Sequence, residues 1–149
     1  MELKIPYGEV DLKKIREEGY LYIDKTMYIE KLEKNSKLIY TRPRRFGKSM
    51  LTSMLAYYYS INEAENFEKI FKGLYIYEHP TPYKNSYYVL QFNFSGMQTG
   101  TDKTLEQMEE QFKVLVISGI KNCINSYNLD IKLSEEGTSA DVFRKFLVD

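Results

Sequence analysis

The stretch 41–49, with the sequence TRPRRFGKS, constrains the possible folds of this chain more than any other feature. A Gly-Lys-Ser turn follows a short apolar run there and precedes residues with helical spacing. In a P-loop, backbone N–H groups surround the phosphates, the lysine reaches the β and γ oxygens, and the hydroxyl binds Mg²⁺. We therefore assign these tasks to Gly47, Lys48 and Ser49, with Lys48 as the catalytic residue and Ser49 as the metal ligand.

The first position of this motif departs from the common pattern. A P-loop of the form G-x-x-x-x-G-K-[ST] has a glycine five residues before Gly47, where this chain has Arg42. Pro43 stiffens the front of the loop because its ring fixes φ. Arg44 or Arg45 could bind a phosphate oxygen, be solvated, or pair with an acid elsewhere. The residues that we predict to contact a nucleotide are Arg42, Pro43, Arg44, Arg45, Phe46, Gly47, Lys48, Ser49 and Met50.

The distribution of charge favours a compact anionic ligand at this loop. The chain has 21 basic and 21 acidic residues, yet residues 31–50 hold seven basic side chains and Glu33 as their single acid. Residues 61–149 hold nine basic and 13 acidic side chains. A nucleic-acid-binding domain is more often basic throughout. A solvated basic face, or a patch that binds nucleic-acid backbone nonspecifically, remains an alternative.

Length and composition indicate one soluble globular domain, since 149 residues with 43% hydrophobic content can bury a core. No apolar run is long enough for a membrane span, and the N-terminus lacks the apolar stretch of a signal peptide. The single cysteine, Cys123, cannot form an internal disulfide, so we predict a cytoplasmic location without a membrane partner. Cys123 lies in a predicted apolar helix face, where we expect it to be buried and inert. His79 has no neighbouring ligand set, so a metal role is not expected.

Helix signals recur along the chain. Asp11 is a good N-cap and Gly19 a stop signal, while Thr104 and Gln107 form a capping signal for the longest helix. Cys123 lies on the apolar face of that helix. The predicted helices begin after Asp11, at Lys25, at Lys48 (to Ser60), at Glu63 (to Phe71), at Thr104 (to Tyr127) and after Gly137.

Aromatic and β-branched segments predict the strands. Residues 37–41 should be the first strand of a parallel sheet and residues 87–94 its partner, with residues 20–24 as a further strand. Residues 74–77 are either an edge strand or packed chain. Asn93 and Ser95 would then lie at the carboxyl edge of the sheet, where such folds bind ligands. The expected fold class is α/β, with an incomplete P-loop NTPase-like parallel sheet flanked by helices.

Asp24 allows two interpretations. It follows four apolar residues, as the Mg²⁺-binding acid of a Walker B strand does, although that acid normally comes after the P-loop. It could instead cap the helix that begins at Lys25 and Thr26. The capping interpretation is the stronger of the two.

Four segments carry a resemblance to a known family: residues 20–26 (YLYIDKT), 42–49 (RPRRFGKS), 71–75 (FKGLY) and 89–95 (VLQFNFS). They resemble the bacterial AAA-ATPase-like family, in which a P-loop ATPase domain precedes a PD-(D/E)XK nuclease-like domain. The family itself has a residue other than glycine at the first motif position. The resemblance implies binding of ATP and Mg²⁺ through Gly47, Lys48 and Ser49, with residues 20–26 forming part of the adenine environment.

The resemblance also sets the expected organisation. No apolar strand after the loop ends in an acidic pair, so we expect residues 1–149 to be the N-terminal part of the ATPase domain. Residues 1–35 would be a helix and strand segment, and residues 36–149 the start of the nucleotide-binding core. Hydrolysis would then require an acid beyond residue 149, and the fragment alone would be inactive. Any nucleic-acid partner would bind a C-terminal domain outside this chain, and the family allows a homo-oligomer.

Two other functions fit the same residues. A nucleic-acid or regulatory binding module would use the basic loop from Arg42 to Arg45. A small P-loop kinase would fit the chain length, although a lid and an acid for that chemistry are not apparent.

Overall fold

A computed structural model describes residues 4–35, 37–41, 43, 46–97 and 103–148. The chain divides into two compact units, Met1–Tyr87 and Tyr88–Asp149. The described part of the first unit contains five α-helices and two 3₁₀ helices, Thr26–Tyr28 and Ile61–Glu63. The α-helices of the chain are α1 (Leu12–Glu17), α2 (Ile29–Glu33), α3 (Lys48–Tyr59), α4 (Phe67–Phe71), α5 (Tyr75–Glu78), α6 (Leu105–Tyr127) and α7 (Ser139–Val148).

The first unit is built around the buried face of α3. Met54 and Tyr58, one turn apart on that face, are almost completely buried. They pack with apolar side chains of α1, α2, α4 and α5, which form one core: Leu12, Ile29, Met54, Tyr58, Phe67, Ile70, Phe71, Leu74 and Ile76. The predicted helix at residues 48–60 is thereby confirmed, and the predicted helix 63–71 is shorter, since its regular α-helical part is α4.

The three consecutive tyrosines at the end of α3 point in different directions, because successive residues on a helix are about 100° apart. The Tyr57 hydroxyl donates to both carboxylate oxygens of Asp11, at 3.1 and 3.0 Å. Tyr58 lies in the core, and Tyr59 donates to Glu33 Oε1 at 3.0 Å. Tyr58 is thus a core residue, and the other two tyrosines connect α3 to carboxylates outside it.

The capping residues in the sequence correctly predicted the start of a helix in both units. The Asp11 side chain accepts a hydrogen bond from the Lys14 N–H at the start of α1. In the second unit, Thr104 and Gln107 form the predicted capping box of the 23-residue helix α6. Helices α6 and α7 pack around Val116, Ile120 and Val142. Cys123 is buried and has a free thiol, as predicted.

The predicted parallel sheet was wrong. None of the described residues belongs to a β-strand, and 52% of them are helical. Residues 37–41 and 87–94 have sequences typical of strands. Among the described residues, however, β-type backbone pairing is limited to one isolated bridge, between Ser60 and Tyr87. β-propensity reflects packing against neighbouring strands, so a suitable sequence without a paired backbone beside it does not form a ladder. Ile39, expected in a buried strand, is 92% exposed.

The other predicted strands also differ from the structure. Residues 20–24 form no strand, although the Leu21 N–H donates to the Lys4 carbonyl at 2.8 Å. Residues 75–78 form the short helix α5 and not an edge strand, and Leu74 and Ile76 pack into the core, as the packed-chain alternative expected. The formation of α5 is explained by Thr26 and Asp24, which accept from the N–H groups of Ile76 and Tyr75 at its start.

We expect the stability of the first unit to fall at alkaline pH because of the α3 tyrosines. Burial raises the pKa of Tyr57, Tyr58 and Tyr59, and for Tyr57 and Tyr59 the hydrogen-bonded carboxylate raises the pKa further. The unfolded chain releases these protons near pH 10, whereas the native state keeps them to higher pH. The contribution of these tyrosines to the free energy of unfolding is therefore complete below about pH 10. It is lost as the pH rises, by about 1.4 kcal/mol per pH unit for each proton.

Urea unfolding at intervals between about pH 8 and pH 11 measures this slope. Tyr57→Phe should make the decrease in the free energy of unfolding with pH shallower, by the contribution of about one proton. Tyr7→Phe, at an exposed position, should leave this slope unchanged. Identical slopes in the wild type and Tyr57→Phe would contradict the expectation.

Candidate functional site

The candidate phosphate site begins at Gly47, the N-cap of α3. Gly47 has φ +77° and ψ +24°, a left-handed conformation that costs glycine little and other residues more. Its carbonyl accepts the hydrogen bond from the Leu51 N–H at 3.0 Å, which begins the regular helix. Glycine has no side chain to cap this end, so the N–H groups of the first turn are the donors that an anion would use.

The predicted loop residues occupy different positions around this helix start. Lys48 and Ser49 are its first two residues and are exposed, whereas Met50 is half-buried and packs against the core. Phe46 and Pro43 are exposed. The remaining predicted contacts, Arg42, Arg44 and Arg45, lie outside the described residues.

A cavity of about 590 Å³ adjoins the helix start. Among the described residues, residues 47–50 form one side of it, and residues 5–10, here called the N-terminal wall, form the other. The wall was not among the residues predicted to contact a nucleotide. The Pro6-Tyr7-Gly8 turn signal was visible in the sequence, but nothing local in it indicates a position beside residues some 40 places further along the chain.

Two hydrogen bonds connect the end of the wall to α3. The Leu12 N–H donates to Ser53 Oγ at 3.0 Å, and the Tyr57 hydroxyl donates to Asp11 as described above. Ser53 and Tyr57 are one turn apart on one face of α3, so they hold adjacent residues at the start of α1. The helix that begins with Gly47 thus also positions the opposite side of the cavity.

Glu9 is the acidic residue of the wall. Its Oε2 lies 2.6 Å from Lys14 Nζ, and its Oε1 accepts from the N–H groups of Val10 and Asp11. The hydrogen bond from Lys14, with smaller contributions from the two N–H groups, lowers the pKa of Glu9 to about 2. Glu9 is therefore ionised at neutral pH, and Lys14 balances its charge.

Asp24 lies in a hydrogen-bonded junction between two short helices. Its Oδ1 accepts from the N–H and the hydroxyl of Thr26, at 2.8 and 2.7 Å, and its Oδ2 accepts from the Tyr75 N–H at 2.7 Å. Thr26 is fully buried, and its hydroxyl oxygen accepts from the Ile76 N–H. Asp24 therefore binds the start of the 3₁₀ helix, as the capping interpretation requires, but from one residue before the N-cap, which is Lys25.

The described residues contain no cluster of three or more His, Cys, Asp or Glu side chains that could hold a metal ion. The His79 ring lies against that of Tyr75, with centroids 4.6 Å apart. Asn93 and Ser95 were predicted at a sheet edge, but no sheet exists in the described residues. The Asn93 side chain instead accepts from the Ser95 N–H.

Residues 6–148 match the sequence profile of the AAA-ATPase-like family, whose description is "Predicted AAA-ATPase". The chain belongs to the AAA-ATPase-like family. The resemblance of its four sequence segments is thereby confirmed, and the match extends well beyond them.

A relative in this comparison is the "Uncharacterized protein in vnfD 5'region" of Azotobacter chroococcum mcd 1, which is 34% identical over 95 residues. The aligned part is 62% of this chain and spans only 17% of the relative's length. No solved structure matches the chain significantly. None of the helices in the described part of the chain is long and apolar enough to cross a membrane.

Proposed function

We propose that this chain binds Mg²⁺-ATP at the start of α3, as the nucleotide-binding part of an AAA-type NTPase. The observation that carries the proposal is the combination of a left-handed Gly47 with Lys48 and Ser49 as the first, exposed residues of a 12-residue helix. Family membership supports the same assignment, since the matching family is described as a predicted ATPase.

The residues present have the chemistry that a triphosphate requires. The N–H groups of the first turn and the positive end of the α3 dipole favour an anion. The Lys48 ammonium would bind the β and γ oxygens, and the Ser49 hydroxyl would supply one oxygen ligand to Mg²⁺. Bound Mg²⁺ neutralises phosphate charge and prefers octahedral oxygen coordination, which phosphate oxygens and water can complete.

The proposal concerns binding, because turnover needs more groups than the described residues supply. Hydrolysis requires an acid on Mg²⁺ and a group that orients water. Asp24 is committed to three hydrogen bonds, and Glu9 to an ion pair and two N–H groups. Arg42, Arg44 and Arg45 could add positive charge to the phosphate site.

We expect Mg²⁺-ATP to raise the melting temperature of the wild-type chain and Lys48→Ala to abolish most of that shift. A ligand at 100 times its Kd stabilises the native state by about 2.7 kcal/mol. Each variant is compared with its own ligand-free melting temperature, so that any effect of the substitution on stability cancels. Lys37→Ala, which removes the same charge from the same basic segment, should retain the shift.

Equal shifts in the wild type and Lys48→Ala would refute the proposed site. The alternative, a nucleic-acid-binding module, predicts something different. It requires steeply salt-dependent binding of duplex DNA or RNA that ATP does not displace.

A further inference from the structure

We propose that the N-terminal wall, residues 5–10, is the nucleoside subsite of this cavity and takes the base and sugar of the bound nucleotide. This inference rests on the proposed function, because it needs the triphosphate at the start of α3. The Gly47 side of the cavity offers N–H groups, an ammonium and a hydroxyl. The wall contributes the apolar side chains of Ile5, Pro6, Tyr7 and Val10, together with Gly8 and with Glu9, whose carboxylate is paired with Lys14. The two sides thus match the two chemically different ends of a nucleoside triphosphate.

The apolar side chains of the wall are available to a ligand. Ile5 is 67% exposed, Tyr7 is 94% exposed and Val10 is 48% exposed. A nucleobase presents two flat apolar faces, and stacking on an aromatic ring binds it without requiring a particular base. The volume of about 590 Å³ lies within the range of small-molecule sites.

The wall is held in place at both ends, so little ordering is needed when a ligand binds. Before Ile5, the Lys4 carbonyl accepts from the Leu21 N–H at 2.8 Å, and Lys4 Nζ lies 3.3 Å from Glu18 Oε2. After Val10, Asp11 and Leu12 are bonded to α3 through Tyr57 and Ser53. Tyr57 and Ser53 are therefore positioning residues, which set the distance between the wall and the phosphate site.

This placement differs from the expected adenine environment at residues 20–26. Those residues do not line the described cavity. Tyr22 donates to Met54 Sδ at 3.6 Å, and Asp24 joins the 3₁₀ helix to α5. Tyr20 and Tyr7 are therefore competing candidates for the aromatic contact to the base, and substitution can separate them.

The test compares two probes, Mg²⁺-ATP and Mg²⁺-tripolyphosphate, by calorimetric titration of the full chain. Tyr7→Ala should weaken ATP binding about tenfold, the lower part of the range for loss of one base–aromatic stack, and leave tripolyphosphate binding unchanged. Tyr20→Ala should leave both affinities unchanged. Tyr57→Phe should weaken ATP binding about threefold without changing that of tripolyphosphate, since it loosens one end of the wall, which the Leu12–Ser53 hydrogen bond still holds.

The outcomes separate this inference from the proposed function. If tripolyphosphate and ATP bind the wild type and Tyr7→Ala equally well, the wall is not a nucleoside subsite, although the phosphate site stands. Weakening of ATP by Tyr20→Ala alone would move the subsite to residues 20–26 and overturn the inference. If neither probe binds the wild type, the proposed function fails and this inference fails with it.

Discussion

Gly119→Ala should destabilise the second unit, although alanine is the better helix former. Gly119 lies in the middle of α6, where a Cβ would be 2.6 Å from Phe92 Cδ1 and 2.9 Å from the Gln91 carbonyl oxygen. The Phe92 ring could move, but the carbonyl belongs to the backbone. Alanine gains about 1 kcal/mol in helix propensity, but overpacking costs more than this gain. We therefore expect the free energy of unfolding to fall by a net amount of about 1–3 kcal/mol.

Thermal unfolding measures this effect, with a decrease of roughly 2–12 °C in melting temperature expected for a chain of this size. Two controls separate close packing from the loss of a glycine. Ser118→Ala changes the neighbouring, exposed position of the same helix. Gly96→Ala adds a methyl group where nothing lies within 4 Å. A melting temperature for Gly119→Ala at or above that of the wild type would show that α6 does not approach residues 91–92 this closely.

Asp24→Ala should destabilise the first unit by about 2–4 kcal/mol, because it removes the acceptor for three donors at once. Those donors are the N–H and hydroxyl of Thr26 and the N–H of Tyr75. Thr26→Val, which keeps the shape of the side chain, leaves the Ile76 N–H without its acceptor and should cost about 1–3 kcal/mol. Because the two residues share one network, the double variant should lose less than the sum.

Urea unfolding without Mg²⁺ and with a chelator distinguishes the two interpretations of Asp24. A capping residue stabilises the metal-free protein, so Asp24→Ala should be less stable under these conditions. A carboxylate reserved for Mg²⁺ would be dispensable there, and unchanged stability would support the metal-ligand interpretation instead. Asp130→Ala, at an exposed aspartate, is the matched control.

The residues on the phosphate side of the candidate site could be predicted from the sequence, but the position of the wall beside them could not. Gly47, Lys48 and Ser49 are consecutive, so their order alone places them together at a helix start. The wall reaches them through contacts between residues 41 and 46 positions apart, Leu12 with Ser53 and Asp11 with Tyr57. A pattern search along the chain does not detect such pairs.

The sequence by itself determined the elements whose causes are local. The caps at Asp11 and Thr104, and the apolar spacing of α3 and α6, depend on residues three or four positions apart, which interact as soon as a helical turn forms. Family membership was determined in the same way, by consecutive residues.

Only the tertiary structure decided the rest. Residues 37–41 and 87–94 have strand-like compositions, but a strand exists only with a partner backbone beside it, and the described chain offers residues 87–94 a single bridge at Tyr87. Helix α5 forms where an edge strand or packed chain was expected, because Asp24 and Thr26, some 50 positions earlier, bind its first N–H groups. Partners distant in sequence determined both outcomes, and they also determined which segment faces Gly47 across the cavity.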